Sequence, residues 1–513
     1  MRTKKSLINI GTAVTGQIFA ILISFISRLV FVRILGAEYL GVNGLFTNIL
    51  SMLALVELGI GPAIIYSLYK PLAFNDEQKV KALMNLFAKT YWIVGIVILI
   101  IGLAIMPFLD IIIKEPPNIP DLAIIYILFL ANSVITYFFS YKRSLIIADQ
   151  RSYITTIYRY SFYFVLNVIQ IIILLKTKDF LLFLFAQIVF TFLENFLVSL
   201  KANQMYPYLK GTNNEKLDEE TKAAIFKNVR ALLYHKLGGK VVFGTSSIII
   251  SAFVGTIWVG LYSNYLLITN ALNIIIGQFF TAITASIGNL NACGDKERSN
   301  FIFKTLFFIS WWIFGFSSIC LLVLINPFIT LWLGSEFTME FFVVLMIVVN
   351  YFITGMRKAS LTFKDSMGLF WNDRYKPLAE AAVNLVVALF LVQHWGLVGV
   401  LVAICISTMA VCFWVEPYVL YKYGFERSSK EYFLRYVFYT MITILLALLT
   451  VFINNILFYD VTITSFLGRL LVCLVVPNVV IILGFYRTKE FQYLLGVIKV
   501  LKESFKRRAV ANN

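Results

Sequence analysis

The sequence predicts an all-α polytopic membrane protein of about 14 transmembrane helices: two parallel six-helix repeats around a central cavity, two further C-terminal helices, and both termini cytoplasmic. Three observations predict it. First, of 513 residues, 60% are hydrophobic and 14% charged, whereas a water-soluble domain carries about 25% charged residues. Polar groups could not cover the surface of a soluble fold, so a soluble enzyme or binding module is excluded. Second, the chain divides into apolar runs long enough to cross hydrocarbon. Third, its basic residues alternate from one inter-run segment to the next.

A span needs roughly 20 mostly apolar residues, because a helix rising 1.5 Å per residue must cross about 30 Å. Fourteen such runs are expected, at about 8–31, 43–69, 90–113, 121–141, 153–175, 179–201, 237–257, 260–290, 303–326, 339–356, 377–393, 396–421, 434–456 and 463–486. The first is not a cleavable signal peptide: it is too long, carries Thr12, Thr15, Gln17 and Ser24, and has no small-residue cleavage site after it. With the N-terminus inside, 38 of the 44 Lys and Arg fall in the segments assigned to the inner side. Only Arg28, Arg33, Lys114, Lys176, Lys178 and Arg469 fall elsewhere. That bias follows the positive-inside rule and requires an even number of spans. The net charge of +17 therefore reports topology and not nucleic-acid binding.

The two halves echo each other at an offset of 216–219 residues. Gly36-Ala37-Glu38-Tyr39-Leu40-Gly41 and Gly255-Thr256-Ile257-Trp258-Val259-Gly260 both read Gly-x-x-aromatic-x-Gly. Lys142, Ser144, Leu145 and Asp149 match Lys358, Ser360, Leu361 and Asp365, while Arg159 and Asn167 match Lys376 and Asn384. Six spans per half give both halves one orientation, with a pseudo-two-fold axis along the membrane normal. The expected organisation is a six-helix bundle at 1–201, a cytoplasmic linker with an amphipathic helix at 202–236, a second bundle at 237–425, two extra spans at 426–486, and a basic amphipathic tail at 487–513. Phe491, Leu494, Leu495, Ile498, Leu501 and Phe505 place that tail on the inner leaflet, with membrane lipids as partners.

Charges inside spans are expensive and are functional candidates by default. Arg28 in the first span either grips phosphate from the cavity or snorkels to headgroups. Glu57 in the second either meets a cation or coupling ion, or serves a structural partner. Arg159 and Lys240 form an inner basic funnel or answer lipid phosphates. Glu194, Glu380 and Glu416, near inner span ends, read as caps or partners of loop lysines. His235 and His394 sit at span edges. Two histidines in all, and five cysteines with no CxxC pair, leave no expected metal centre, cofactor or disulfide framework. HExxH, Walker and GxSxG motifs are absent, so no catalytic residue is assigned and the chain is expected not to be an enzyme.

Several segments resemble the polysaccharide transporter (PST) family, the Wzx-type flippases of the multidrug/oligosaccharidyl-lipid/polysaccharide (MOP) superfamily. They are Arg33-Ile34-Leu35-Gly36 through Gly41, Glu57-Leu58-Gly59-Ile60-Gly61, Lys142 through Asp149, Arg374-Tyr375-Lys376-Pro377 with Glu380 and Asn384, Gly396 with Gly399-Val400, and Glu416-Pro417 through Phe425. The resemblance covers essentially the whole chain. It implies a flippase that moves polyprenyl-diphosphate-linked oligosaccharide units to the outer leaflet by alternating access, for capsule, exopolysaccharide or other cell-surface glycan. The membrane would be the cytoplasmic membrane of a bacterium. Partners would include a polymerase and glycosyltransferases of the same pathway, with coupling to membrane potential or an ion gradient. Alternatives are a flippase for lipid II or another lipid-linked glycan, and a multidrug/cation antiporter. A membrane-embedded polymerase or glycosyltransferase would need a large outer loop and catalytic acids.

Overall fold

The computed structural model describes residues 2–57, 60–113, 119–210, 244–292, 295–369 and 371–496, with isolated positions at 217, 219, 225 and 499. Every element in these residues is helical. In order they are α1 (Arg2–Leu53), α2 (Ile60–Ala73), α3 (Glu77–Ile105), α4 (Leu122–Ala148), α5 (Ser152–Thr177), α6 (Phe180–Met205) and α7 (Gly244–Phe253), followed by α8 (Thr256–Ala292), α9 (Lys296–Trp332), α10 (Phe341–Met356), α11 (Lys358–Ser366), α12 (Lys376–Ser407), α13 (Phe413–Val419), α14 (Lys430–Leu457) and α15 (Ile463–Phe485). The linker helix expected within 202–236, the tail beyond 499 and Lys240 lie outside the described residues.

Local chemistry sets the helix starts. The Asp76, Asp179 and Asp295 carboxylates and the Thr462 hydroxyl accept backbone N–H groups at the first turns of α3, α6, α9 and α15. Each cap satisfies a donor that hydrocarbon cannot. Two pairs of expected spans turn at a single residue. α1 breaks at Gly36 (φ 85°, ψ −174°) and α12 at Gly396 (φ 52°, ψ −131°). The second expected span bends again through the 3₁₀ turn Ala54–Glu57. α13 lies between two π-helical turns, Thr408–Cys412 and Leu420–Phe425.

The internal repeat is legible in the backbone. Left-handed residues recur as Gly36 and Gly255, Gln150 and Gly368, and Lys178 and Gly396. These pairs stand 219, 218 and 218 residues apart. The two Gly-x-x-aromatic-x-Gly copies also pack on each other. A Cβ on Gly41 would meet the Thr256 carbonyl oxygen at 2.2 Å, and one on Gly260 would meet the Gly41 nitrogen at 2.7 Å. Backbone meets backbone there, so only glycine fits.

The chain divides into two compact units, Met1–Ser263 and Asn264–Asn513. In the first, α1 packs along α5, and α3 and α6 flank α4. Edge-on ring contacts of Phe46 with Tyr126 and of Phe31 with Phe180 and Phe183 fill the core. In the second, α9 is central, touching α10, α14 and α15. Its Trp311 stacks on Tyr439 at 4.4 Å and donates its indole N–H to the Thr443 hydroxyl at 2.8 Å. On the outer faces, large apolar side chains such as Phe438, Leu445, Leu448 and Phe452 stay exposed. A water-soluble surface would not carry them, but hydrocarbon solvates them. The molecule is an all-α, multi-pass membrane protein.

Candidate functional site

In the first unit, the seam between α1 and α5 is polar along its length. Asn9 donates to the Gln150 carbonyl at 3.1 Å and accepts from the Tyr153 N–H at 2.8 Å. Two turns further on, the Tyr160 hydroxyl donates to the Gln17 side-chain oxygen at 2.8 Å. Gly16 makes room for that ring, since a Cβ there would sit 2.0 Å from it. Beyond Tyr160 the seam reaches Arg28. Its guanidinium donates to the Ser263 hydroxyl at 3.0 Å, and Ser263 donates to the Gly260 carbonyl at 2.7 Å.

The structure does not bring Arg28 and Arg159 into contact with each other; they share a neighbour. Tyr163 lies within electrostatic range of both Arg28 and Arg159, and Arg159 is one helical turn before it on α5. The Asn167 amide donates to the Tyr163 carbonyl at 2.7 Å and its side chain also meets the Tyr163 hydroxyl. Arg159 is exposed, with its guanidinium 5.8 Å from the Tyr160 ring centre. Among the described residues neither Arg28 nor Arg159 has a carboxylate partner. A guanidinium beside a serine hydroxyl, as at Arg28, can hold an anion through charge-assisted hydrogen bonds.

Glu57 stands elsewhere in that unit. It accepts from the Tyr91 hydroxyl at 3.0 Å and also meets the Tyr137 hydroxyl; the two rings stack at 6.5 Å. Among the described residues no cation pairs with it, and phenol donors satisfy the carboxylate from α3 and α4. Outside the spans, burial and the neighbouring Asp149 carboxylate raise the Tyr206 hydroxyl well above the ordinary phenol range. Tyr206 donates to Asp149 at 2.8 Å and Arg151 pairs with the same carboxylate at 2.9 Å, tying the ends of α4 and α6.

Sequence reasoning placed Glu416 and Glu380 singly near span ends, as caps or partners of loop lysines; the structure puts them in one network of the second unit. Arg357 donates to Glu416 through Nε at 3.0 Å and Nη2 at 2.6 Å. Lys376 donates to Glu416 at 2.6 Å and lies 3.3 Å from Asp373, which also takes Lys364. Glu380 lies 3.6 Å from Arg357 and accepts from the Thr408 hydroxyl at 3.1 Å. Three cations face three carboxylates, so the group is neutral and its cations are committed. A parallel pair, Arg143 with Glu194 at 2.5 Å, joins α4 to α6 in the first unit. The sequence signal was the basic loop 357–376 beside membrane carboxylates, but their convergence needs four elements at once. Among the described residues, no group of three or more His, Cys, Asp or Glu is placed to hold a metal ion.

The fold is similar to that of several solved membrane transporters and a flippase. Lipid II flippase MurJ in an inward closed conformation superposes with a TM-score of 0.62 at 11% identity, over 92% of this chain and 98% of that one. A multidrug resistance MATE family transporter of the MOP superfamily, inward-facing, gives 0.57 at 15% identity, over 79% and 94%. A Vibrio cholerae MATE transporter gives 0.53 at 14%, over 83% and 99%. At these identities the likeness is one of fold. No protein-family model matches the sequence, and no curated protein does.

Proposed function

We propose that this protein is a flippase that carries polyprenyl-diphosphate-linked oligosaccharide from the inner to the outer leaflet of a bacterial cytoplasmic membrane. The observation that carries the reading is a pair of basic side chains, Arg28 on α1 and Arg159 on α5, neither with a carboxylate partner among the described residues. A diphosphate and its sugars cannot enter hydrocarbon unaided, because each buried polar group would lose its hydrogen bonds. A cavity lined by these side chains replaces the water, while the polyprenyl tail stays in lipid. Alternating access then exposes the head group to one side and the other. With the cell interior negative, outward movement of the anion is favoured by about 2.3 kcal/mol per charge per 100 mV. A polymerase and glycosyltransferases of the same pathway would consume and supply such a cargo.

Other lipid-linked glycans, lipid II among them, share the diphosphate chemistry and would be held by the same cations. A cation antiporter would instead turn on Glu57, whose carboxylate already accepts from Tyr91 and meets Tyr137. The test is reconstitution in liposomes with fluorescently tagged lipid-linked oligosaccharide and a membrane-impermeant quencher. Wild-type protein is expected to equilibrate the lipid between leaflets. Arg28→Ala is expected to slow it at least tenfold, since a charge-assisted hydrogen bond is worth about 1.5–3 kcal/mol. No movement of any lipid diphosphate by wild-type protein, with uptake of cationic dyes in its place, would refute the flippase reading.

A further inference from the structure

α8 is a 37-residue helix without a single charged residue, yet it is studded with amides and hydroxyls. Ser263, Asn270, Gly277 and Thr284 recur every seven residues, two turns or about 10.5 Å apart. They form a continuous stripe that Asn273 and Thr281 broaden. Asn270, Gln278 and Thr281 are exposed, and among the described residues the Asn270 and Gln278 amides have no hydrogen-bond partner. The Asn273 side-chain oxygen is shielded from solvent and unpaired. Thr281 and Thr284 donate to the carbonyls of Gly277 and Phe280, at 3.0 and 2.8 Å, which leaves their oxygens free to accept.

Lipid tails cannot satisfy such a face, because every amide against hydrocarbon stays unpaired. An anion has no cation on it to meet, and a cation no carboxylate. What matches is a neutral, hydroxyl-rich ligand that donates and accepts at short intervals. We infer that this face of α8 binds the sugar portion of the cargo, an inference that rests on the lipid-linked oligosaccharide reading. The uncharged ladder suits the glycan of such a cargo and not its charged diphosphate.

The test measures binding to full-length protein in nanodiscs with two probes. One is polyprenyl diphosphate without sugar, the other the lipid-linked oligosaccharide extracted from the source cells. The triple variant Asn270→Ala, Gln278→Ala, Thr281→Ala is expected to bind the sugar-bearing lipid at least tenfold more weakly, at about three- to fivefold per neutral hydrogen bond lost. Its affinity for the bare lipid should stay within about twofold. Exchanging the two amides, Asn270→Gln with Gln278→Asn, should keep most of the sugar-dependent affinity and guards against a folding defect. A triple variant that binds both lipids as wild type does, or loses both equally, overturns the inference and leaves the cargo reading standing. Wild-type protein that binds neither lipid overturns the cargo reading, and this inference with it.

Discussion

Glu416→Gln tests whether the charge network of the second unit holds that unit together. Glu416 is 1% exposed and accepts three short hydrogen bonds, two from Arg357 and one from Lys376. The substitution keeps shape and volume but leaves three cations facing two carboxylates. The residual charge sits on side chains largely buried among α10, α12 and α13. Removing one partner of a buried pair costs about 3–5 kcal/mol, mostly because the other partner is stranded. At roughly 2 °C per kcal/mol for a large domain, the midpoint of thermal unfolding should fall by about 6–10 °C. The assay is thermal unfolding of detergent-solubilised protein at one fixed heating rate, because such unfolding is irreversible and rate-dependent. Adding Lys376→Met restores neutrality and should recover at least half of the loss. A Glu416→Gln midpoint within 1 °C of wild type would refute the reasoning. So would a double variant less stable than the single one, because stranded charge would then not be the cause.

Two further perturbations follow from the packing. Gly260→Ala places a methyl 2.7 Å from the Gly41 nitrogen and 2.9 Å from the Ala37 carbonyl oxygen, so the helix crossing must open; about 1–3 kcal/mol of stability should be lost, read as a lower unfolding midpoint. Thr443→Val keeps the shape but removes the acceptor of the buried Trp311 indole N–H at 2.8 Å; about 1–3 kcal/mol should be lost on the same assay, with a shift in tryptophan emission.

The fold class was legible because membrane solvation acts on composition and length, which survive in any window of sequence. The repeat was legible where the chemistry of a turn demands glycine, as at Gly36 and Gly255. It was not legible at the left-handed pairs Gln150 with Gly368 and Lys178 with Gly396, where one copy uses a glycine and the other a polar residue. Backbone conformation persisted there while residue type drifted. Arg28 and Arg159 stood out as charges in apolar runs, but their common neighbour Tyr163 did not. The approach of Arg28 to Tyr163 depends on how α1 packs on α5, a long-range contact that no local pattern encodes. Glu57 was singled out as a membrane carboxylate for the same reason, and its tyrosine donors come from α3 and α4, too distant in sequence to be read.

The duplicated halves have put equivalent charge to different uses. Arg159 and Lys376 occupy matching positions in the sequence repeat; Arg159 lies two turns into α5, and Lys376 opens α12. In the second unit Lys376 is buried and answered by Glu416 and Asp373, within a group whose charges sum to zero. In the first unit Arg159 is exposed, with no carboxylate partner among the described residues. A paired, buried cation is not available to an incoming anion, because a ligand phosphate would have to displace a carboxylate already desolvated with it. An unpaired cation carries no such competitor, and its full field acts on whatever enters. On the function proposed above, the matching position serves rigidity in one unit and recognition in the other. That asymmetry favours an anionic cargo gripped by the first unit over a site shared equally by both.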